Sequence, residues 1–242
     1  MKSLVVLTVL TYVMAPGPVF RRVCDGRDEL NLTTLRVEGS ADVAPAYARG
    51  VAEAIGVPWS AGPLSVSAAF VAKLPHRCRL ELSSVESTRT VAAAWVNGKK
   101  KADPAAFDAL QVAVEEACAL LMLKTVGETE SRSLLDRHLN LHKVDKSKIS
   151  LARFNGTVAY AIGDRAPEAP QFFVYKDKFL PAKISYPDET GAVWQVRFID
   201  YGSPATGEWF PRALEVWKGD ELLLKVAVHR GDAKVRVDDA SW

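Results

Sequence analysis

The clearest structural signal in this chain lies in two stretches, VWQVRFIDY at residues 193–201 and ELLLKVAVHR at residues 221–230. Both stretches alternate apolar and polar residues. A period of two over several residues predicts a strand with one dry face and one wet face. The residues predicted to lie on the dry face are Trp194, Val196, Phe198, Leu222, Leu224, Val226 and Val228.

The strand pattern continues on both sides of these stretches. Asn97-Gly98 and Asn155-Gly156 are tight-turn signals, because both residue types accept a positive φ. Residues Ala44–Gly62 indicate either a short helix or a long loop. In all we predict about eleven strands joined mostly by hairpins. The further strand segments are Leu35–Val43, Leu64–Lys73, His76–Ser83, Thr88–Val96, Ile149–Phe154, Thr157–Ile162, Pro170–Tyr175, Leu180–Tyr186, Phe210–Trp217 and Ala233–Val237.

A change of period separates the early strands from the late ones. Asp103 is a good N-cap and Pro104 suits the first helical position. Apolar residues then recur at intervals of three and four, which predicts a helix over Asp103–Lys124. A second helical stretch follows at Glu128–Leu141. Helices inserted into a run of strands suggest a lid or plug over the sheet.

Length and charge limit the classes of function. The chain has 242 residues, and 31 basic against 29 acidic residues give a net charge of +2. This size suits one large β domain. The basic cluster Lys99-Lys100-Lys101 beside a turn is typical of a solvated hairpin tip, since phosphate binding usually needs a basic face with groove-reading or aromatic elements. No nucleic-acid partner is therefore predicted.

The N-terminus has the composition of a secretory signal. Lys2 precedes an uncharged apolar run, Leu4–Ala15, that is too short to span a bilayer. We expect residues 1–17 to be a signal peptide and residues 18–242 to be a single domain, periplasmic or secreted. A buried N-terminal helix or strand is the alternative. The charged and apolar residues of Val19–Leu30 predict a short amphipathic helix.

The cysteines are expected to be buried free thiols. Three cysteines, Cys24, Cys78 and Cys118, allow at most one bridge and a leftover thiol. Cys78 lies on the apolar side of a predicted strand, and Cys118 on the apolar stripe of a predicted helix. Cys24 follows Arg21-Arg22-Val23, whereas lipoprotein signals place small and apolar residues before the cysteine, so no acyl anchor is expected.

Several segments of the chain resemble those of a known family. The segments that carry the resemblance are FFVYKDKFLPAKI at residues 172–184, WQVRFIDYG at 194–202 and WFPRALEVWKGDELLLKV at 209–226. Together with the order of signal, amphipathic helix, strands, central helices and strand meander, they are similar to the LolA/LolB-like superfamily of periplasmic lipoprotein carriers. The resemblance covers nearly the whole mature chain.

This resemblance implies a mainly β fold with helices (α+β): a strongly curved, incomplete antiparallel β-barrel with a helical lid or plug. It also implies a periplasmic carrier or chaperone that binds lipid or the acyl chains of lipoproteins, with inner- and outer-membrane partners. A periplasmic regulator or scaffold that contacts a protein through the same sheet is the alternative.

One departure from the family pattern concerns the turn before the third strand. The lipoprotein carrier has Lys-Arg-Pro there, and its arginine is tied to lipoprotein transfer, whereas this chain reads Lys73-Leu74-Pro75. Arg77 could substitute only if the strand brought it to the same cavity mouth. The resemblance therefore implies a carrier of apolar ligands more directly than a lipoprotein transferase.

No catalytic, cofactor or metal site is predicted. The chain has no Gly-x-Ser-x-Gly, Cys-x-x-Cys or phosphate-binding glycine loop. His138 and His142 are four residues apart in a helical stretch, but spacing provides no third ligand, and Asp136 and Arg137 favour a solvated helix face. The adjacent carboxylates Glu115-Glu116 are likewise expected to face solvent.

The candidate ligand-binding residues are the apolar side chains of the predicted dry face and of the helix above it. Individually they are typical of an ordinary core. Collectively they favour a cavity, because a single curved sheet of about eleven strands makes more concave surface than two helices fill. They are Phe70, Trp95, Phe107, Leu110, Val114, Leu121, Tyr160, Phe172, Val174, Trp194, Val196, Phe198, Leu222, Leu224 and Val226.

Overall fold

The computed structural model describes residues 15–238. Four helices form: α1 (Pro16–Glu29), α2 (Pro45–Ile55), α3 (Asp108–Leu121) and α4 (Ser131–Leu141). The predicted signal peptide falls mostly on residues 1–14, outside the described residues, while Pro16 and Gly17 begin α1. In residues 15–238, no helix has the length and apolar character needed to cross a membrane.

In the described part of the chain, twelve strands form one antiparallel sheet, which confirms the predicted mainly β fold with helices. The order across the sheet is β5-β4-β3-β2-β1-β12-β11-β10-β9-β8-β7-β6, and the two ends do not join. The strands are β1 (Thr34–Val43), β2 (Leu64–Lys73), β3 (Arg77–Ser83), β4 (Thr90–Val96), β5 (Lys99–Ala102), β6 (Ile149–Phe154), β7 (Thr157–Gly163), β8 (Gln171–Tyr175), β9 (Pro181–Pro187), β10 (Val193–Ile199), β11 (Ala213–Lys218) and β12 (Glu221–Asp232).

The sheet consists of two meanders that meet along one seam. Strands β1–β5 form the first, β6–β12 the second, and β1 pairs with β12 between them. The register shifts at Glu38/Gly39, where a Cβ on Gly39 would lie 1.8 Å from the carbonyl oxygen of Ala227. Only glycine fits this close backbone approach.

Several predicted boundaries shift for identifiable reasons. Asp103 does not cap a helix: its side chain accepts a hydrogen bond from the backbone N–H of Ala92 at 2.8 Å, and α3 begins at Asp108. The solvated tip predicted at Lys99–Lys101 lies in edge strand β5. The predicted strand Ala233–Val237 does not form, since β12 continues to Asp232 instead.

The prediction for Leu222 was wrong because of a bulge. Val216 pairs with Leu224 but Trp217 pairs with Leu222, so β12 has one extra residue at this point. Leu222 therefore shares a face with Trp217, away from the core. Leu223, which strict alternation places outside, is buried instead. A bulge reverses the alternation locally, and the apolar run Leu222–Leu224 hides that reversal in the sequence.

Helix α3 lies against the inner face of the sheet. It contacts strands of both meanders, including β3, β4, β10 and β11, while α4 packs on α3 and α1 packs on α4. Ten of the fourteen residues of α3 are buried, so the helix is enclosed on almost every side. The helix fills the space that the sheet encloses.

A disulfide attaches this central helix to the sheet. Cys78 of β3 and Cys118 of α3 are bonded, with their Cα atoms 5.8 Å apart, so the expectation of three free thiols was wrong. Both cysteines lie on the apolar faces predicted for them, and those two faces pack together. Cys24 remains a buried free thiol, and burial is the main cause that raises its pKa to about 12.

The buried guanidinium of Arg27 joins α1 to the end of α3. It donates to the carbonyl oxygens of Glu208 at 2.9 Å and Trp209 at 2.8 Å, and also to that of Leu121. Burial lowers the pKa of Arg27 to about 10. A cation at the C-terminal end of a helix satisfies carbonyls that have no partner within the helix.

Candidate functional site: an apolar pocket beside a buried Glu116 cluster

The structure places most of the predicted ligand-binding residues in a packed core. Thirteen of the fifteen are buried, whereas Trp95 and Leu222 are partly exposed. The side chains of α3 and of the strands fill the inner face between them. The thirteen are Phe70, Phe107, Leu110, Val114, Leu121, Tyr160, Phe172, Val174, Trp194, Val196, Phe198, Leu224 and Val226.

A pocket of about 400 Å³ opens beside this core, between α4, the C-terminal end of α3 and two hairpin tips. Its volume lies in the range of small-molecule sites. Of the predicted residues, Trp95 lines it. The other lining residues are Pro75, His76, Asn97, Gly98, Cys118, Ala119, Met122, Leu123, Leu134, Arg137, His138 and Leu141.

Helical spacing explains the wall contributed by α4. Leu134, His138 and Leu141 follow one another at intervals of four and three, so they share one face of the helix. Leu141 is 63% exposed and Leu134 is partly buried. An apolar helix face with an exposed leucine at its end leaves the pocket open to solvent.

The pocket also has basic side chains. Arg137 is exposed, and His76 of the β2–β3 turn lies close enough to interact with it electrostatically. Burial first, and then the positive charge of Arg137, lowers the pKa of His76. Pro75 lines the same pocket, so the Lys73-Leu74-Pro75 turn lies at this site. Arg137 thus brings a positive charge to the pocket from α4.

Next to the pocket is a buried cluster of titratable side chains that the sequence analysis placed in solvent. Glu116 is fully buried, His138 is 7% exposed, and both expectations of a solvated face were therefore wrong. Glu116 Oε2 lies 2.7 Å from His138 Nε2, and Tyr186 Oη donates to Glu116 Oε1 at 2.9 Å. The His142 ring stacks on the Tyr186 ring at a centroid distance of 3.7 Å.

His142 is held in this cluster without a hydrogen bond. Its Nε2 atom lies 3.0 Å from Glu116 Oε1, within ion-pair distance. The atoms are not aligned as donor and acceptor, and Nε2 has no hydrogen-bond partner among the described residues. A hydrogen bond requires a suitable angle as well as a short distance, so the contact between His142 and Glu116 is electrostatic.

The electrostatics of the cluster favour the charged forms of Glu116 and His138. Burial opposes the charge on Glu116, but His138 and His142 outweigh it and hold the pKa of Glu116 well below its usual range. Burial likewise opposes the charge on His138, and the Glu116 carboxylate overcomes this and raises the pKa of His138. Burial and the Glu116 carboxylate raise the pKa of Tyr186 well above its usual value.

The spacing of His138 and His142 was visible in the sequence, but their partner was not. Glu116 comes from α3, 22 residues before His138, and Tyr186 comes from β9. Glu115 also points away from solvent: it is 4% exposed and pairs with Lys100 of β5 at 2.7 Å. The apolar residues on both sides of Glu115 and Glu116, Val112–Val114 and Ala117–Leu121, are the sequence signal that could have shown both carboxylates to be enclosed.

These features define a class of protein: a curved, open, single-sheet antiparallel fold around a central helix, with a pocket beside that helix. No protein-family model matches the chain, and no curated protein matches it in sequence.

Solved structures do resemble the chain. A LolA superfamily protein from Nitrosomonas europaea aligns with 10% identity and a TM-score of 0.48, covering 91% of this chain and 95% of its own. A DUF1329 family protein from Desulfovibrio piger aligns with 10% identity and a TM-score of 0.46, covering 93% and 96%. A putative outer membrane lipoprotein-sorting protein domain from Vibrio parahaemolyticus has 9% identity and a TM-score of 0.46, covering 92% and 94%.

Proposed function

We propose that this chain is an exported carrier that binds an acyl chain of a lipid or lipoprotein in the pocket beside α4. The observation that carries the proposal is the combination of an apolar lining, from Trp95, Met122, Leu123, Leu134 and Leu141, with the basic side chains of His76 and Arg137. A hydrocarbon chain suits such a lining, an anionic headgroup suits the positive charge of Arg137, and the His76 ring, whose pKa is lowered, offers a neutral hydrogen-bonding group.

Burial of hydrocarbon is sufficient to drive such binding. Each buried methylene contributes about 0.8 kcal/mol, so a chain of ordinary length needs no specific polar contact to bind. This explains how a carrier can lack a recognisable motif. No turnover chemistry is part of the proposal.

The disulfide supports an exported location. Disulfides persist in oxidising compartments and are rare where thiols are kept reduced. The Cys78–Cys118 bond joins the central helix to the sheet in the middle of the fold. The proposed compartment is the periplasm or another extracytoplasmic space.

The same disulfide changes which helix is proposed to move. Helix α3 is bonded to β3, so we infer that α4 alone acts as the lid. The start of α4 is held by Asp28 of α1, which accepts hydrogen bonds from Ser131 Oγ at 2.7 Å and Thr125 Oγ1 at 2.9 Å. Movement at the Leu141 end would widen the pocket while these contacts remain, and it would separate His138 and His142 from Glu116.

Two exposed leucines provide a matched test. Leu141 is 63% exposed and lines the pocket, whereas Leu151 is 58% exposed on edge strand β6, outside the pocket lining. In a titration with a fluorescent fatty acid, Leu141→Asp is expected to weaken binding at least ten-fold, and Leu151→Asp to leave it unchanged. Equal affinities for both variants, or no binding by the unmodified protein, would reject the pocket.

The packed inner face favours a second candidate, a regulator or scaffold that binds a protein. With thirteen predicted cavity residues buried in the core, the sheet itself offers no open concave surface at those positions. A small apolar cluster, Ala159, Ala161, Phe173 and Ala182, lies outside the main core. Failure to bind the fluorescent fatty acid, in a protein that remains folded, would favour this candidate.

A further inference from the structure

We propose that Glu116, His138 and His142 form a binding site for a divalent transition-metal ion, with Zn²⁺ the best match to their donor atoms. The proposal does not depend on acyl-chain binding.

The three side chains offer a suitable donor set. Two imidazole nitrogens and one carboxylate oxygen are ligands that zinc commonly takes in proteins. The ligand atoms of Glu116, His138 and His142 all lie within 4.8 Å of one another. His138 lies on α4 and His142, four residues later, directly follows its last residue, so both rings project from one side of the helix end toward Glu116 on α3.

The separations of the three ligand atoms would have to change before an ion could bind between them. Glu116 lies 2.7 Å from His138 Nε2 and 3.0 Å from His142 Nε2. Ligand bonds of about 2.0–2.1 Å in a tetrahedral zinc site place neighbouring ligand atoms about 3.3 Å apart. Side-chain rotations that widen these two contacts by a few tenths of an ångström, and that bring closer the ligand atoms now up to 4.8 Å apart, would therefore admit the ion.

Neighbouring groups hold the ligands in place. Tyr186 Oη donates to Glu116 Oε1 at 2.9 Å, and the Tyr186 ring stacks on the His142 ring. Such outer contacts orient the ligands of metal sites. Because β9 supplies Tyr186, the site is fixed by a strand and two helices rather than by a loop.

The ring nitrogen Nε2 of His142 also favours a bound ion, because the nearby Glu116 carboxylate is not aligned to accept a hydrogen bond from it. Its side chain is nine-tenths buried, its Nε2 lies 3.0 Å from Glu116, and it makes no hydrogen bond among the described residues. A buried polar atom without a partner is costly to the fold. A metal ion bound between His142 and Glu116 would give this nitrogen a partner.

Binding requires a defined exchange of protons. The lone pair of His138 Nε2 forms the bond to the ion, and a proton held there passes to solvent, as in other metal sites with histidine ligands. His142 binds through Nε2 with its proton on Nδ1. His138 also lines the pocket, which provides a route for the ion and for a water molecule as fourth ligand.

The test measures Zn²⁺ binding to the tag-free, full-length exported protein after removal of metals with EDTA and dialysis. In competition with a chromophoric chelator, we expect one Zn²⁺ per chain, and at least ten-fold weaker binding in His138→Gln and in His142→Gln. The chain has four histidines, and exposed His229 on β12 provides the control. His229→Gln is expected to bind as the unmodified protein does.

A second measurement avoids reliance on variants that could fail to fold. Co²⁺ added to the unmodified protein is expected to give the visible absorption of a four- or five-coordinate ion, and stoichiometric Zn²⁺ is expected to abolish it. Failure of the unmodified protein to bind one Zn²⁺, absence of that absorption, or equal affinities in folded His142→Gln and His229→Gln would each overturn the proposal.

Discussion

At the scale of single residues, the buried carboxylate of Glu116 joins three elements of the fold. The carboxylate lies on α3, contacts two histidines of α4 and accepts a hydrogen bond from Tyr186 of β9. A fully buried carboxylate is costly unless it is paired and hydrogen-bonded. Glu116 meets both conditions, so it should stabilise the contact of α4 with the central helix.

This pairing predicts a pH dependence of stability. The lowered pKa of Glu116 gives a contribution that is present above its unfolded value of 4.5 and is lost as the pH falls through the folded value. The raised pKa of His138 gives a contribution that is fully present below 6.5 and is lost as the pH rises through its folded value. The pair therefore stabilises most between pH 4.5 and 6.5.

The variant Glu116→Gln removes the charge and tests this expectation. In urea unfolding with EDTA present, the loss of stability relative to the unmodified protein should be larger at pH 5.5 than at pH 9. Glu53→Gln on the exposed side of α2 is the control and should unfold with the unmodified protein at both values. A loss that is the same at both pH values would contradict the assigned pairing.

The sequence could not show the role of a residue whose partner lies far away along the chain. The spacing of His138 and His142 predicts a shared helix face, but it does not say what that face meets. The pairing of Cys78 with Cys118 was hidden for the same reason. Each cysteine was correctly assigned to an apolar face, and only the packing of α3 on β3 brings the two sulfurs together.

At the scale of elements, the seam between β1 and β12 is sensitive to substitution at Gly39. A Cβ on Gly39 would lie 1.8 Å from the carbonyl oxygen of Ala227, so the two strands must separate locally. Gly39→Ala is expected to reduce the free energy of unfolding by about 1–3 kcal/mol.

Gly50 of α2 provides the matched control for this prediction. It is exposed in a helix, and nothing lies within 4 Å of an added Cβ. Gly50→Ala is expected to stabilise by about 0.4–1 kcal/mol, because alanine restricts the unfolded chain. Equilibrium denaturation measures both variants, and a Gly39→Ala protein as stable as the unmodified one would show that the seam is not tightly packed.

The disulfide gives a prediction for the attachment of α3. Its two cysteines are 40 residues apart, and the bond restricts the unfolded chain over that length. Replacing both with alanine should reduce stability by about 2–4 kcal/mol. Cys24→Ala, which removes the free thiol, should not change the response to reductant; reductant sensitivity that survives the double replacement would contradict the assigned bridge.

Element types followed from local patterns, but some boundaries and faces did not. Alternation identified β10 because no bulge interrupts its pairing with β9 and β11. It misplaced Leu222, where the β11–β12 register shifts. Asp103 and Pro104 resembled a helix start, yet Asp103 is engaged by Ala92 of β4, a contact that only the folded sheet provides.

At the scale of the whole molecule, the resemblance predicted the curved open sheet but not how its interior is used. A single sheet of twelve strands around one helix has room for a cavity, and α3 fills the space instead. The candidate site lies instead at the edge of the core, where the exposed face of α4 faces two hairpin tips. The topology of the chain determines how much space the sheet encloses, and the volume of the side chains determines how much of that space stays empty.

The most direct test of the carrier proposal is mass spectrometry of lipid extracted from protein that is expressed with export intact and purified without detergent. The proposal predicts an acyl-chain lipid at close to one molecule per chain in the unmodified protein and in Leu151→Asp, and strong depletion in Leu141→Asp. Absence of lipid from the folded, unmodified protein, or equal lipid content in the two variants, would contradict the proposal.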